Sequence, residues 1–198
     1  MRKKLTKRGS ERRAELLEAG SRLFSGQGYH RTTVGDICDS IGVGKGVFYW
    51  YFRSKEALFS EILQDSLLQL RRAQQSAIAD VQEPVERIEE GIKASIEFFR
   101  ANPGFLGLIR TAARYEEFAT LLENGQQIVV SDTATHLKEG MGNGSVREGD
   151  PELLAHGILG AIFHFVETYF GTEGEDISHR PNLADEAAAF CLRGLLAG

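Results

Sequence analysis

Residues 32–58 read TTVGDICDSIGVGKGVFYWYFRSKEAL. Two short helical patterns lie in this segment, joined by a glycine-rich turn. Thr32 or Thr33 can cap the first helix, and Gly42 ends it, because glycine readily adopts the backbone conformation found past a helix C-terminus. The second helix is expected to run through 47–52. Two short helices around a tight glycine turn are typical of a helix-turn-helix.

The rest of the chain is also helical in pattern. Apolar residues at 16, 17, 23 and 24 share one face of a helix before the segment, and Ser54 caps a helix after it. A further helix starts at Pro84 and is broken at 102–104. Others are predicted at 105–115, 116–138, 151–170 and 183–196, with polar loops at 139–150 and 171–182. No segment has convincing strand alternation, so the expected fold class is all-α.

The charge is divided unevenly along the chain, although the net charge is −5. Residues 1–55 carry 12 Lys or Arg against 5 Asp or Glu, a balance of +7, whereas residues 56–198 carry 11 against 23, a balance of −12. The positive charge of residues 1–55 indicates that this part of the chain binds a polyanion, which the negatively charged remainder would repel. The basic residues at positions 2–8 are not followed by the apolar segment of a signal peptide. We therefore expect a flexible basic arm and no signal peptide. Its basic residues are Arg2, Lys3, Lys4, Lys7 and Arg8.

Composition narrows the class of protein further. With 198 residues, 42% hydrophobic and 26% charged, the chain has the balance of a soluble globular protein. Cys38 and Cys191 cannot form a disulfide framework, which predicts a reducing cytoplasm. His156 and His164 are eight residues apart, not the four that a helical zinc pair needs, and no Walker or GxGxxG motif occurs. We therefore expect no catalytic residues, no metal, no cofactor and no enzyme.

The order and spacing of residues 12–60 resemble the N-terminal DNA-binding domain of the TetR family of transcriptional regulators. The resemblance implies an N-terminal three-helix helix-turn-helix domain joined to a larger helical ligand-binding and dimerisation domain. Three positions depart from the family pattern: Cys38 and Ile41 replace a common Ala, and Gly44 replaces a common Ser, whose hydroxyl could contact DNA. The residues that carry the resemblance are Leu23-Phe24, Gly28-Tyr29, Thr32-Thr33-Val34, Asp36-Ile37, Ile41 to Gly46, Phe48-Tyr49, Tyr51-Phe52 and Ser54 to Leu58.

The resemblance implies that the second helix of residues 32–58 is a recognition helix for the major groove. Lys45 can reach a guanine edge or a phosphate, and Tyr49 and Tyr51 can donate to phosphates. Thr33, at a helix N-terminus, and Lys55 are also expected beside phosphates. Small residues in the turn allow the backbone and the DNA to approach closely. The predicted DNA contacts are Thr33, Gly44, Lys45, Gly46, Tyr49, Tyr51 and Lys55.

Two alternatives stay open in this region. Tyr49, Trp50 and Tyr51 can instead be core aromatics, although we favour exposure for Tyr49 and Tyr51. The basic run at 2–8 can be a disordered tail or an arm that contacts DNA.

The resemblance also implies a ligand cavity in the larger domain. Arg110 and Arg114 lie four residues apart and can hold a carboxylate or phosphate together, or pair with acidic residues at the surface. Glu167 would favour a cation, so the charge of the ligand is left open. The predicted lining residues are Phe99, Arg110, Arg114, Phe118, His164 and Glu167.

A helix formed by residues 153–170 would carry apolar residues on nearly all of its faces. The segment is short for a membrane span and contains His156, His164 and Glu167, so we interpret it as a helix buried on two sides, by its own core and by a partner. The TetR family pairs its last two long helices with those of a second subunit. The predicted dimer contacts are Gly157, Gly160, Ala161, Phe190 and Leu195.

The sequence therefore predicts two domains. Residues 1–55 form a basic arm and a helix-turn-helix DNA-binding domain, and residues 56–198 form a ligand-binding and dimerisation domain, with a linking helix at about 55–78. The predicted function is a cytoplasmic homodimeric repressor, with no membrane contact, that binds a palindromic operator and is released by an unknown small-molecule effector. The alternative is a DNA-binding interaction protein whose larger domain binds a protein partner and no effector.

Overall fold

The computed structural model describes residues 6–171 and 180–196, and within those ranges the chain folds into nine α-helices. The helices are α1 (Lys7–Gln27), α2 (Val34–Ser40), α3 (Lys45–Tyr51), α4 (Lys55–Ile78), α5 (Pro84–Ala101), α6 (Pro103–Arg114), α7 (Glu116–Gly142), α8 (Pro151–Phe170) and α9 (Leu183–Arg193). The all-α prediction is confirmed.

Local signals set most helix boundaries. The Thr33 hydroxyl accepts from the backbone N–H of Asp36, whose carboxylate accepts from the Thr33 N–H, which makes a capping box at α2. The Ser54 hydroxyl accepts from the backbone N–H of Ala57 and so caps α4 with a single bond. Gly28, at the end of α1, has φ +89°, a conformation that a side chain would strain. Prolines in the first turns of α5, α6 and α8 favour helix initiation there.

Helices α1 to α3 form a small head that shares its core with the start of α4. Leu16 of α1, Ile37 of α2 and Phe48 of α3 have no exposed surface. A Cβ on Gly20 would lie 2.7 Å from a methyl of Leu58, so glycine lets α1 lie close against α4. The head is thus held by packing to the linking helix and not by the turn alone.

The larger body is a bundle of α5 to α9 with the rest of α4. Ile88, Ile92 and Ile96 of α5 repeat at four-residue steps and are all buried, which fixes the inward face of that helix. Helix α5 packs against α4, α7, α8 and α9 and is therefore the centre of the bundle.

The C-terminal ends of two helices differ from the sequence-based prediction by three residues or more, and α3 and α6 each begin two residues earlier than predicted. Helix α7 runs on to Gly142 and does not stop near residue 138. The extension is stabilised because Gly140 is buried directly against Val146, where any side chain would collide. Val146 in turn forms an isolated antiparallel bridge with Leu196, so the chain leaves helical geometry after Arg193 and α9 is shorter than expected.

A cluster of five aromatic rings joins the head to the body. Phe118 of α7 lies 4.4 Å from the ring of Phe59 and 5.4 Å from that of Tyr29, measured between centroids. Phe24 and Tyr115 complete the cluster at 5.4 Å from Tyr29. Because Phe24 and Tyr29 belong to the head while Tyr115 and Phe118 belong to the body, the two parts share one apolar core at this point.

Candidate DNA-binding surface and ligand cavity

Helix α3 presents one buried face and one exposed face. Phe48 and Phe52 are 0% and 3% exposed and anchor the helix to the head. Lys45 and Tyr49 point outward, and Tyr49 keeps 56% of its surface exposed. Gly44 and Gly46 are exposed with open space where a Cβ would lie, so a flat surface flanks Lys45. A polyanion can approach this face without displacing any side chain.

Trp50 is the exposed aromatic that the sequence-based list of contacts omits. It is 63% exposed and its ring meets that of Tyr51 edge to face at 4.5 Å. Tyr51 is half-buried against the head core, so the expected exposure holds for Tyr49 but only in part for Tyr51. The spacing of Phe48 and Phe52 indicates this pattern, because in a helix the first and second residues after Phe48 turn outward whereas the third shares its buried side.

Thr33 is exposed at the N-terminus of α2, but its polar groups are engaged. Its N–H and its hydroxyl both donate to the Asp36 carboxylate, at 2.8 and 2.9 Å. These two bonds hold the pKa of Asp36 below its usual value. Asp36 therefore places a negative charge at the position where a phosphate was expected, and the Thr33 contact remains a prediction.

Lys55 has a role inside the fold. Its ammonium donates to the carbonyl oxygens of Tyr29 and Thr32, at 2.9 and 3.0 Å, and lies 4.2 Å from the centre of the Tyr29 ring. These bonds fix the segment between α1 and α2 against α4. The phosphate contact predicted for Lys55 stays a prediction, and replacing Lys55 would alter this support as well.

Part of the basic character of the head is neutralised internally. Arg12 pairs with Glu15 at 2.5 Å, and Arg13 pairs with Glu61 of α4. Lys7 and Arg8 are exposed at the start of α1. The remaining members of the basic run, at positions 2–4, lie outside the described residues.

The body contains a cavity of about 110 Å³ between α4, α5, α7 and α8, and its rim includes the exposed residues Gln75 and Gln126. Its wall is mainly apolar and includes Leu70, Ile88, Phe99 and Leu122. Ser95 is 3% exposed and accepts from the Gln74 side-chain N–H at 2.9 Å, which places a satisfied polar pair in the wall. An apolar cavity with a few fixed polar groups has the chemistry of a small-molecule site.

Charged groups also border the cavity at one end. Arg87 donates to Glu139 at 2.6 Å and to two backbone carbonyl oxygens, and Asp132 accepts two bonds from Arg71 at 2.9 and 3.2 Å. Burial, with the charge of Arg87, lowers the pKa of His136, so that imidazole is neutral at pH 7. Each formal charge in the wall thus has its own counter-ion.

The structure corrects most of the predicted cavity lining. Of the six residues, Phe99 borders the cavity, and the other five do not. Arg114 and His164 are exposed side chains on the outside of the body. Phe118 lies in the aromatic cluster at the head, 1% exposed. Faces of a helix cannot be assigned to a cavity before the rotation of that helix against its neighbours is known.

Arg110 and Glu167 were the two conflicting indications of ligand charge, and they bind each other. The guanidinium makes bonds of 2.5 to 3.1 Å to both carboxylate oxygens and a further bond to the Gly171 carbonyl oxygen. The pair joins α6 to the end of α8. Neither charge is left to select a ligand.

The Arg110–Glu167 pair leads to a prediction about acid stability. The bonds from Arg110 lower the pKa of Glu167 below its unfolded value of 4.5, so the pair stabilises the fold above that pH and the contribution is lost as the pH falls through the folded pKa. We expect Glu167→Gln to reduce the free energy of unfolding at pH 7 and to make its loss in acid shallower. Urea titrations at pH 7 and pH 3 measure this. An unchanged pH dependence would contradict it.

The exposed surface of α8 and α9 carries apolar and small residues beside charged and polar ones, among them His156, His164, Asp185 and Glu186. Gly157 and Gly160 are exposed with open space around them, and Phe190 of α9 is 64% exposed. Among the described helices, α8 alone is long and apolar enough to cross a membrane by length and composition, and 22% of that segment is buried within the chain. Ala161 is half-buried, but Leu195 is 4% exposed, so the prediction that Leu195 faces a partner is wrong. Leu195 is drawn inward where Arg147 bonds its carbonyl oxygen.

Both cysteines are buried, and burial raises the pKa of each thiol. Within residues 6–171 and 180–196, no three His, Cys, Asp or Glu side chains are grouped closely enough to hold a metal ion.

The head matches a known family of regulators. Residues 16–62 match the sequence model described as "Bacterial regulatory proteins, tetR family". The chain is 25% identical to YhgD, an uncharacterized HTH-type transcriptional regulator of Bacillus subtilis, over 75% of this chain and 79% of that protein. It is 36% identical to the HTH-type transcriptional repressor KstR2 of Mycolicibacterium smegmatis, over 44% of this chain and 43% of the repressor.

The fold is also shared with solved structures. The fatty acid degradation regulator FadR from Bacillus halodurans superposes with a TM-score of 0.82 at 18% identity, covering 97% of this chain and 98% of that one. The two chains therefore share the same fold.

Proposed function

The chain belongs to the TetR family of transcriptional regulators, and we propose that it is a repressor that binds a palindromic operator as a homodimer and is released when a small molecule fills the body. The observation that carries this proposal is the exposed face of α3. Lys45, Tyr49 and Trp50 project from a helix that Phe48 and Phe52 hold rigidly. A rigid helix with protruding polar and aromatic groups can enter a major groove.

The exposed apolar residues of α8 and α9 support the homodimer. Leu153 and Phe190 are 69% and 64% exposed, and large exposed apolar patches on soluble proteins mark interaction sites. A second copy would present the same face, and a two-fold axis would place two recognition helices on two half-sites about 34–36 Å apart. We propose Gly157, Gly160, Ala161 and Phe190 as members of this interface.

The cavity and the aromatic cluster support release by an effector. Leu122 of α7 lines the cavity, and Phe118 of the same helix contacts the head through Phe59 and Tyr29. A ligand that binds more tightly when α7 occupies a different position would favour that state of the protein. Because α7 contacts the head, the two recognition helices would then no longer be spaced to match successive major grooves. The effector and the operator would then weaken each other's binding by the same factor, about 5–150-fold.

The DNA contact of Lys45 gives the first test. We expect Lys45→Ala to weaken specific operator binding by about 1–3 kcal/mol if the ammonium reads a base edge. Fluorescence anisotropy with a duplex selected from a random library, repeated at several salt concentrations, measures both affinity and the number of phosphate contacts.

Lys138→Ala is the matched control, because Lys138 is an exposed lysine on α7 in the acidic body. It should leave operator affinity unchanged. Equal effects of the two substitutions, or a wild-type affinity that does not depend on salt, would contradict DNA binding through α3. If duplex binding persists but no small molecule alters it, the body is better explained as the binding site of a protein partner.

A further inference from the structure

The exposed positions of α8 are arranged symmetrically about Gly160. Exposed residues lie three, four and eight positions before Gly160 and again three, four and eight positions after it. At 3.6 residues per turn, these positions share one side of the helix. Leu153 is exposed too, whereas its counterpart Glu167 is half-buried in the ion pair with Arg110. The symmetric positions are Gly157, His156 and Glu152 before the centre and Phe163, His164 and Thr168 after it.

This symmetry is what a two-fold dimer requires, because residue i of one subunit must meet residue j of the other and the reverse. If α8 runs antiparallel to its copy and crosses it at Gly160, each residue before Gly160 lies level with the residue equally far after it in the copy. Every exposed position apart from Leu153 then meets another exposed position. A crossing at Gly157 would instead set the exposed His156 level with the buried Ile158.

The side chains at matching levels also complement each other in size. Nothing lies within 4 Å of the Cβ position of Gly160, so the two backbones can approach closely where the helices cross. Phe163 is 36% exposed and lies level with Gly157 of the partner subunit, where the absent side chain leaves room for the ring. His156 lies level with His164 of the partner subunit, so two imidazole pairs flank the crossing.

Helix α9 adds an apolar contact to this arrangement. Phe190 packs on Phe165 of α8 with 5.8 Å between the ring centroids. Phe165 lies five residues beyond Gly160, close to the level of Leu153 of the partner subunit. Leu153 and Phe190 are the two most exposed large apolar side chains among the described residues, at 69% and 64%. Their contact would bury both of them, which is favourable.

We propose that a second copy of the chain covers this face, with α8 antiparallel to its counterpart and crossing it at Gly160. The inference rests on the proposed homodimer and adds the register of its interface. Phe163 also lines the cavity of the body. The dimer contact and the proposed effector site therefore share one side chain.

Cysteine substitutions test the register. Residues 156 and 164 are about 12 Å apart along the helix, too far for a disulfide within one chain or between equal positions of two antiparallel helices. We expect the double variant His156→Cys, His164→Cys to form a covalent dimer under mild oxidation, measured on non-reducing gels. Either single variant should stay uncross-linked, as should wild type, in which both cysteines are buried.

The other outcomes of cross-linking overturn the proposal. A single variant that cross-links to itself would mean that α8 meets its copy in parallel. A double variant that is dimeric in light scattering but does not cross-link would place the crossing at another residue. A wild-type protein that is monomeric would reject the proposed homodimer and the register together, so failure of the register alone is distinguishable.

A charge test reaches the same contact without oxidation. The pair His156→Glu, His164→Lys would place opposite charges at both levels, whereas His156→Lys, His164→Lys would place like charges there. Both histidines are exposed in the single chain, so either pair should fold. Sedimentation at low salt should give the Lys–Lys variant a dimer dissociation constant at least about tenfold above that of the Glu–Lys variant. Equal constants would contradict the contact between residues 156 and 164.

Discussion

Gly160→Arg should convert the protein into a monomer. Gly160 is exposed in the middle of the outward face of α8, and nothing lies within 4 Å of the position its Cβ would take. The single chain can therefore accept arginine without strain, whereas a second copy packed on that face would bury an unpaired guanidinium. Light scattering and sedimentation of wild type and variant measure the mass. Loss of the dimer should also abolish tight binding to a two-half-site operator, since two linked heads bind far more tightly than one.

Gly107→Arg is the control for the dimer experiment. Gly107 is likewise an exposed helical glycine with open space, but it lies on α6, outside the α8–α9 face. It should remain dimeric and bind the operator like wild type. A Gly160→Arg protein that stays dimeric would mean that the interface lies elsewhere, and a wild-type protein that is monomeric would reject the homodimer itself.

Phe118→Ala should be strongly destabilising. The ring is 1% exposed and contacts Phe59, Tyr29 and Tyr115 in the aromatic cluster between head and body. Truncating a buried phenylalanine leaves a cavity and typically costs about 3–5 kcal/mol. Urea denaturation followed by circular dichroism measures the change in the free energy of unfolding.

Ile128→Ala is the comparison on the same helix. Ile128 is 42% exposed, so its removal leaves no cavity and should change the free energy of unfolding by about 0.5 kcal/mol or less. A loss below about 1 kcal/mol for Phe118→Ala would contradict a shared core at the junction. Since the cluster is the contact between α7 and the head, the folded variant should also show weaker coupling between effector and operator.

Much of the protein follows from its sequence because the decisive interactions are local. The prolines that open α5 and α8, the Thr33 and Ser54 caps and the glycine at position 28 each act within a few residues. The same holds for the recognition helix, whose buried side is marked by Phe48 and Phe52. The helix-turn-helix, its family and the number and order of the helices could therefore be predicted from the sequence.

Only the tertiary structure decided which side of each body helix meets the cavity, the core or the solvent. Arg110 and Glu167 are 57 residues apart, and the sequence alone predicts two separate ligand contacts. The packing of α6 against α8 instead places the two side chains in one ion pair. Phe118 and Leu195 are ordinary apolar positions of helical segments, and their places beside the head and inside the body depend on long-range contacts. An apolar stripe gives the inward direction of a helix but not the neighbour that it meets, because helix crossing and rotation are fixed by the packing of side chains distant in sequence.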